Sequence, residues 1–225
     1  FNRSLQAQYP PGSTFKPLTA LIGMQTHVVS PNTKYKCNYG YHIGSFSVGC
    51  HSHRSPLNLV ESIQHSCNTY YCHVYRNILD LSTNAGIVHN YQKWREAVLS
   101  FGYGKHLGID FPFEIKGLVP PSSYFENLYE SAWNSLNVVS MSIGQGEILV
   151  TPLQMTNFAS VIANRGFYKV PHLVKQIEGK DEIEPKYLVK RYAEVDSIYF
   201  EPVIEGMYMA VHGETGSTAR IARVD

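Results

Sequence analysis

No stretch of this sequence approaches the roughly 20 consecutive apolar residues that a helix needs to cross a bilayer, and no secretory signal opens it. The segment itself is therefore expected to be soluble. Charge of one sign is lacking too: 19 basic and 18 acidic residues are scattered along 225, for a formal net charge of +1. Without a basic cluster there is no electrostatic footprint for nucleic acid, which is excluded as a partner. Charged residues make up only 16% against 44% apolar, which is not the balance of a disordered chain. The length suits one domain with a substantial core. Cysteine is scarce: Cys37, Cys50, Cys67 and Cys72 are too few for a disulfide framework at this size, so they call for a local explanation.

The chain opens on Phe1 and closes on Asp225, directly after a Gly-Ser-Thr-rich stretch, so both ends are expected to continue in a longer protein, with any membrane anchor outside. Tyr9-Pro10-Pro11-Gly12 signals a turn, followed by Phe15, Leu18, Leu21 and Ile22 at helical spacing; the helix should start near Ser13, with Pro17 tolerated in its first turn. Residues 30 to 55 read as an irregular loop or small hairpin. Ser55-Pro56 is the expected start of a short helix through Leu57, Val60 and Ile63 that stops near His65. Asn68 is the expected N-cap of the next helix, whose apolar face carries Tyr71, Val74, Tyr75, Ile78 and Leu79. Thr151-Pro152-Leu153-Gln154 has the form of a capping box, and its helix should run through Phe158, Ala159 and Ile162 to Gly166. Residues 168 to 177 suit strands, residues 178 to 184 a charged loop, and Ile204 to Val211 a last helix.

Ser13-Thr14-Phe15-Lys16 has the form Ser-x-x-Lys, which at a helix start puts both side chains on one face. A serine hydroxyl is a weak nucleophile at neutral pH. A lysine in a partly desolvated pocket has its pKa lowered toward the range of a useful base, and the helix N-terminus suits an oxyanion. Alone the tetrapeptide is a weak signal, equally readable as a capping serine and a solvated lysine. A second element strengthens it: Ser66-Cys67-Asn68, of the form Ser-x-Asn, falls in the corner between two expected helices, where its plain alternative is an ordinary helix cap.

Tyr9 to Pro17, Ser66-Cys67-Asn68-Thr69, and Gly144-Gln145-Gly146 followed by Thr151-Pro152-Leu153-Gln154-Met155 resemble class B penicillin-binding proteins in order and spacing, nearly end to end, and most of all the elongation-type branch of lateral wall synthesis. The resemblance implies the penicillin-binding and β-lactamase-like α+β fold, mostly helical here with part of its antiparallel sheet absent. It implies peptidoglycan D,D-transpeptidation through a serine acyl-enzyme: Ser13 as nucleophile, Lys16 as base, Ser66 relaying protons and Asn68 holding the substrate amide. Stem peptides and β-lactams would be the ligands, a glycan polymerase the partner, and the periplasmic face of the inner membrane the location. The family's Lys-Thr-Gly motif is not matched. Gly213-Glu214-Thr215-Gly216 puts glutamate where lysine belongs, whereas Gly216-Ser217-Thr218-Ala219 fits the element just upstream, so the chain is expected to end before that strand and to be catalytically crippled as it stands. Two rivals remain. One is a serine β-lactamase or β-lactam sensor, which shares Ser-Thr-Phe-Lys in class D but usually has an apolar residue at the Asn68 position; the other is a non-catalytic zinc-stapled partner-binding module.

Cys37, Cys50, His51, His53 and Cys67 cluster around the Ser-x-Asn corner, and three thiolates with one imidazole make a closed tetrahedral zinc site. The same branch resembles this chain again, because some members hold a metal there with Asp, His and Cys. The expected ligands are Cys37, Cys50, His53 and Cys67, with His51 as substitute for His53, in a structural role that leaves no open coordination position. A Cys37–Cys50 disulfide and buried free thiols are the alternatives; Cys72 is expected in the core.

Overall fold

The computed structural model describes residues 1–81, 86–130, 133–179, 183–213 and 217–224. Among them helices predominate: α1 (Arg3–Gln6), α2 (Lys16–Gln25), α3 (Leu59–Gln64), α4 (Asn68–Leu79), α5 (Gly86–Ser100), α6 (Ser122–Tyr129), α7 (Pro152–Ala163) and α8 (Phe200–His212). Strands are short and antiparallel. A hairpin pairs β1 (Gly40–Ile43) with β2 (Phe46–Gly49), and β3 (Phe167–Tyr168) pairs with β4 (Arg191–Tyr192). None of the described helices is long and apolar enough to cross a membrane.

Helix α2 is the hub. Every residue from Lys16 to Met24 is buried, as a helix without a polar face must be. Its Pro17 falls in the first turn as expected. Helix α4 crosses it closely because Gly23 has no side chain: a Cβ there would lie 2.5 Å from Val74 Cγ1. An aromatic cluster closes the core beside α2. Phe15 lies 6.3 Å from Trp94 and 5.9 Å from Tyr103 between ring centroids, and Trp94 in turn meets Tyr75 at 5.1 Å and Tyr91 at 5.3 Å. Such offset and edge-on pairs add to the area they bury. Phe15 thereby ties Ser13-Thr14-Phe15-Lys16 into the core.

The Thr151 capping box forms in full, with Gln154 reaching back to the Thr151 amide. The expected helix start at Ser55-Pro56 is corrected: the N-cap is Asn58, whose side chain accepts from the Glu61 amide while Glu61 returns the bond. Ser55 is engaged elsewhere, its Oγ accepting from Cys37 N at 2.8 Å, and Leu57 bridges Tyr35 instead of entering the helix. Asn68 is likewise not the cap of α4 but its first residue; the Cys67 sulfur caps it, accepting from Tyr70 N. Within residues 30 to 55 a hairpin forms from Gly40 to Gly49, with irregular chain on either side. Of residues 168 to 177 only Tyr168 lies in a strand and Ile177 makes a lone bridge, while the Asp110 carboxylate captures the Leu173 and Val174 amides at 3.0 and 2.7 Å. In the expected charged loop, residues 180–182 lie outside the described residues. The last helix starts four residues earlier than expected, at Phe200. Helices α1, α5 and α6 were not foreseen from the sequence.

Candidate active site

Ser13 sits in a 3-10 turn, Gly12–Phe15, that runs directly into α2. Backbone bonds clamp this turn to the Gly144-Gln145-Gly146 segment: Gly12 N donates to Gly144 O at 2.8 Å, and Tyr9 and Val150 exchange N–H···O bonds of 2.9 Å. Gly144 has φ +69°, and a Cβ on it would lie 2.8 Å from Gly12 N and 2.7 Å from Phe15 Cβ. Only glycine fits there, which gives this second motif a physical reason: it backs the Ser13 turn. The Ser13 side chain itself is exposed.

Lys16 is buried, 2% exposed, and its ammonium donates to the Ser66 carbonyl at 2.5 Å and to Ser66 Oγ at 2.7 Å. Among the described residues no hydrogen bond joins it to Ser13. Burial lowers the Lys16 pKa from 10.5 to about 8, against the opposing pull of Cys50, Cys67 and Cys72. Ser66 reaches the lysine through an unusual backbone. It has φ 48°, in the left-handed region, at the end of α3, where Cys67 N donates to Ser62 O and Ser66 N to Ile63 O, both at 3.0 Å. This is a Schellman turn, whose left-handed position usually belongs to glycine. Here serine occupies it and aims both its carbonyl and its hydroxyl at one cation.

Ser13, Lys16 and Ser66 line one cavity of about 400 Å³, with Ile63, Met207 and Val211 on its apolar side. Asn68 is not on that lining; its amide Nδ2 donates to the Gly49 carbonyl of the hairpin at 2.8 Å. Thr218 and Ala219 also border the cavity, and Thr218 bonds the Gln64 carbonyl through both N and Oγ1, at 3.2 and 3.1 Å. In Gly213-Glu214-Thr215-Gly216, the last three residues lie outside the described residues, as does the Gly216 of the upstream element.

On the other side of the Ser66 corner, one ligand atom from each of Cys37, Cys50, His53 and Cys67 lies within 4.8 Å of the rest. His51 stands outside that group, its ring 5.4 Å from that of His53. All four cysteines are free thiols. Sulfur ligands at about 2.3 Å from a tetrahedral zinc sit about 3.8 Å apart, so the set fits the ion with a slight contraction. The His53 tautomer is prepared as well: Nδ1 faces the Arg54 carbonyl at 2.7 Å, which turns Nε2 to Cys50 Sγ at 3.4 Å. A hydrogen bond from the Cys67 thiol, helped by the Asn68 amide and His53, holds the Cys50 thiol well below its ordinary pKa, and the same sharing pushes Cys67 up. Cys72 is buried and takes Ser142 Oγ at 3.7 Å, as a core thiol does.

Comparison with known proteins agrees with this architecture. Peptidoglycan D,D-transpeptidase MrdA of Acinetobacter baumannii is 31% identical over 183 residues, 80% of this chain and 26% of that protein. MrdA of Haemophilus influenzae is 29% identical over 234 residues, 100% of this chain and 34% of that protein. The chain thus spans about a third or less of these curated relatives. The crystal structure of Pseudomonas aeruginosa PBP2 superposes with a TM-score of 0.77 at 26% identity, covering 98% of this chain and 48% of that one. A Mycobacterium tuberculosis PBP3 structure shares the fold at a TM-score of 0.77 and 21% identity. The resemblance to the elongation-type branch therefore stands, and with residues 1–225 all matched by the model of the penicillin binding protein transpeptidase domain, the chain belongs to that family.

Proposed function

We propose that this chain carries the acyl-transfer site of a serine-type peptidoglycan D,D-transpeptidase, anchored in the inner membrane with its site in the periplasm. The observation that carries the proposal is the Lys16 amine, buried between the Ser13 turn and the Ser66 corner with its pKa lowered to about 8. An ammonium has three N–H donors; Ser66 takes two, and the third is the one the mechanism assigns to Ser13. In its neutral form Lys16 takes the Ser13 proton as Oγ attacks the carbonyl carbon of the penultimate D-alanine. The peptide bond breaks, and the terminal D-alanine leaves with a proton delivered through Ser66 Oγ. An amine of a neighbouring stem peptide then displaces Ser13. The positive dipole end of α2, which the Ser13 turn leads into, suits the oxyanion. Asn68 would hold the substrate amide after releasing the Gly49 carbonyl. β-lactams would acylate Ser13 and stay.

Cys37, Cys50, His53 and Cys67 would hold zinc as a structural staple that fixes the corner carrying Ser66. A glycan polymerase partner is supported by a 29% identical solved structure described as coordinating polymerization and crosslinking in a peptidoglycan synthase complex. The family match favours this reading over the β-lactamase and the non-catalytic module. Intact-protein mass after benzylpenicillin tests it. On the full-length protein a stable adduct is expected, absent from Ser13→Ala. Rapid turnover without an adduct would reveal a β-lactamase, and no reaction on folded protein would favour the binding module.

A further inference from the structure

Three thiols converge within 4.8 Å at the corner that holds Lys16, and one of them, Cys67, directly follows Ser66. Their surroundings differ. Cys67 is buried at 2% exposure and caps α4 through Tyr70 N, at 3.4 Å. Cys50 is only half-buried, and its sulfur rests on the same helix start, accepting from Asn68 N at 3.3 Å, with the Cys67 sulfur within 4.8 Å. The Cys37 sulfur has a different partner, Thr69 Oγ1 at 3.1 Å. The pair best placed to join is therefore Cys50 with Cys67.

We infer that Cys50 and Cys67 form a redox modification site: hydrogen peroxide couples them into a disulfide, which expels the metal and closes the transpeptidase site by displacing Ser66. The inference rests on the metal and active-site readings above. The chemistry balances with peroxide as the only co-reactant. The half-buried Cys50 sulfur attacks one peroxide oxygen; the O–O bond breaks, hydroxide leaves as water, and Cys50 becomes a sulfenic acid. The Cys67 sulfur then attacks Cys50, the S–S bond forms, the S–O bond breaks, and a second water leaves. The two sulfurs lose two electrons, which reduce the peroxide. Both protons come from the thiols, or from solvent when the thiolates hold metal. Zinc bound by three thiolates cannot stay on the one thiolate and one imidazole that remain.

The effect reaches the active site through the backbone. To bond, the two sulfurs must close from within 4.8 Å to about 2.05 Å. That pulls Cys67 off Tyr70 N and strains the Schellman turn in which Cys67 N holds Ser62 O. Ser66, at the left-handed position of that turn, carries both acceptors of the Lys16 ammonium. A shift near 1 Å at such a group costs about 100-fold in rate.

The experiment treats zinc-loaded full-length protein with graded hydrogen peroxide. Intact mass, peptide mapping, zinc release to a chromophoric chelator and the rate of labelling by a fluorescent penicillin are followed together. Expected are loss of the mass of two hydrogens, a Cys50–Cys67 linkage, one zinc released per disulfide, and labelling slowed about 10- to 100-fold. Dithiothreitol with added zinc should restore the rate. Cys72→Ala, which removes the fourth thiol of residues 1–225, should form the same linkage. Three outcomes overturn the inference: a linkage through Cys37, added oxygen in place of the disulfide, or a disulfide that leaves labelling unchanged. No labelling before peroxide would instead sink the transpeptidase reading, and no zinc on the reduced protein would sink the metal reading.

Discussion

The Ser13 turn and the Ser66 corner face each other across one cavity, yet opposite means hold them. Backbone bonds to Gly144 and Val150 and the buried ring of Phe15 lock the Ser13 turn, which needs nothing that is not part of the covalent chain. Ser66 is itself held in the left-handed region and followed by a thiol cap, with a metal-ready cluster behind it. Apolar packing responds to temperature and mutation; a thiol and imidazole corner responds as well to metal and oxidant. One wall of the site is therefore permanent, and the other depends on conditions.

Changes at Ser13 and Lys16 should have the largest effect, because they remove chemistry from walls that stay in place. Ser13→Ala should abolish the penicillin adduct by mass spectrometry, while thermal denaturation shifts by no more than about 0.5 kcal/mol, since the side chain is exposed. Lys16→Ala should slow acylation by about 100- to 10,000-fold in stopped-flow labelling. In the unmodified protein the rate should climb as pH rises through about 8, because burial lowers the lysine and its neutral, proton-accepting form dominates only above that value. A profile flat from pH 6 to 10 would remove Lys16 from the base role.

Metal tells the two walls apart. Stripping zinc with a chelator should remove about 2.7 kcal/mol of stability relative to protein held at a hundredfold its zinc Kd, and should slow acylation as well. Calorimetry and labelling on the same sample check this, and loss of neither would leave the corner as independent of metal as the Ser13 turn. Gly144→Ala is the converse change. It should cost about 1 to 3 kcal/mol by chemical denaturation, through the clash with Gly12 and Phe15, without altering zinc stoichiometry.

The parts of the site legible in the sequence are those built from neighbours in the chain. Ser13 and Lys16 share a face because residues three apart always do, and Thr151 with Gln154 closes a capping box by the same local geometry. Ser66 was legible as a hydroxyl near a corner but not as a left-handed residue, because glycine is what usually signals a Schellman turn. Cys67 was not legible as the cap of α4 because sulfur is not among the usual capping side chains. Asn68 turned to the hairpin for a reason that lies 19 residues away, at the Gly49 carbonyl.

By itself the sequence placed a serine and a lysine three residues apart at a helix start, the helix that carries them, and a set of thiols and histidines close enough in the chain to share an ion. All of these rest on spacing along the backbone. Only the tertiary structure decided that Lys16 is buried against Ser66 rather than solvated, that His53 and not His51 meets the cysteines, and that the thiol cluster and the cavity lined by Ser13 share one corner. Those outcomes follow from how α2, α3 and α4 pack, and desolvation, ligand convergence and strain exist only once distant segments have excluded water from between them.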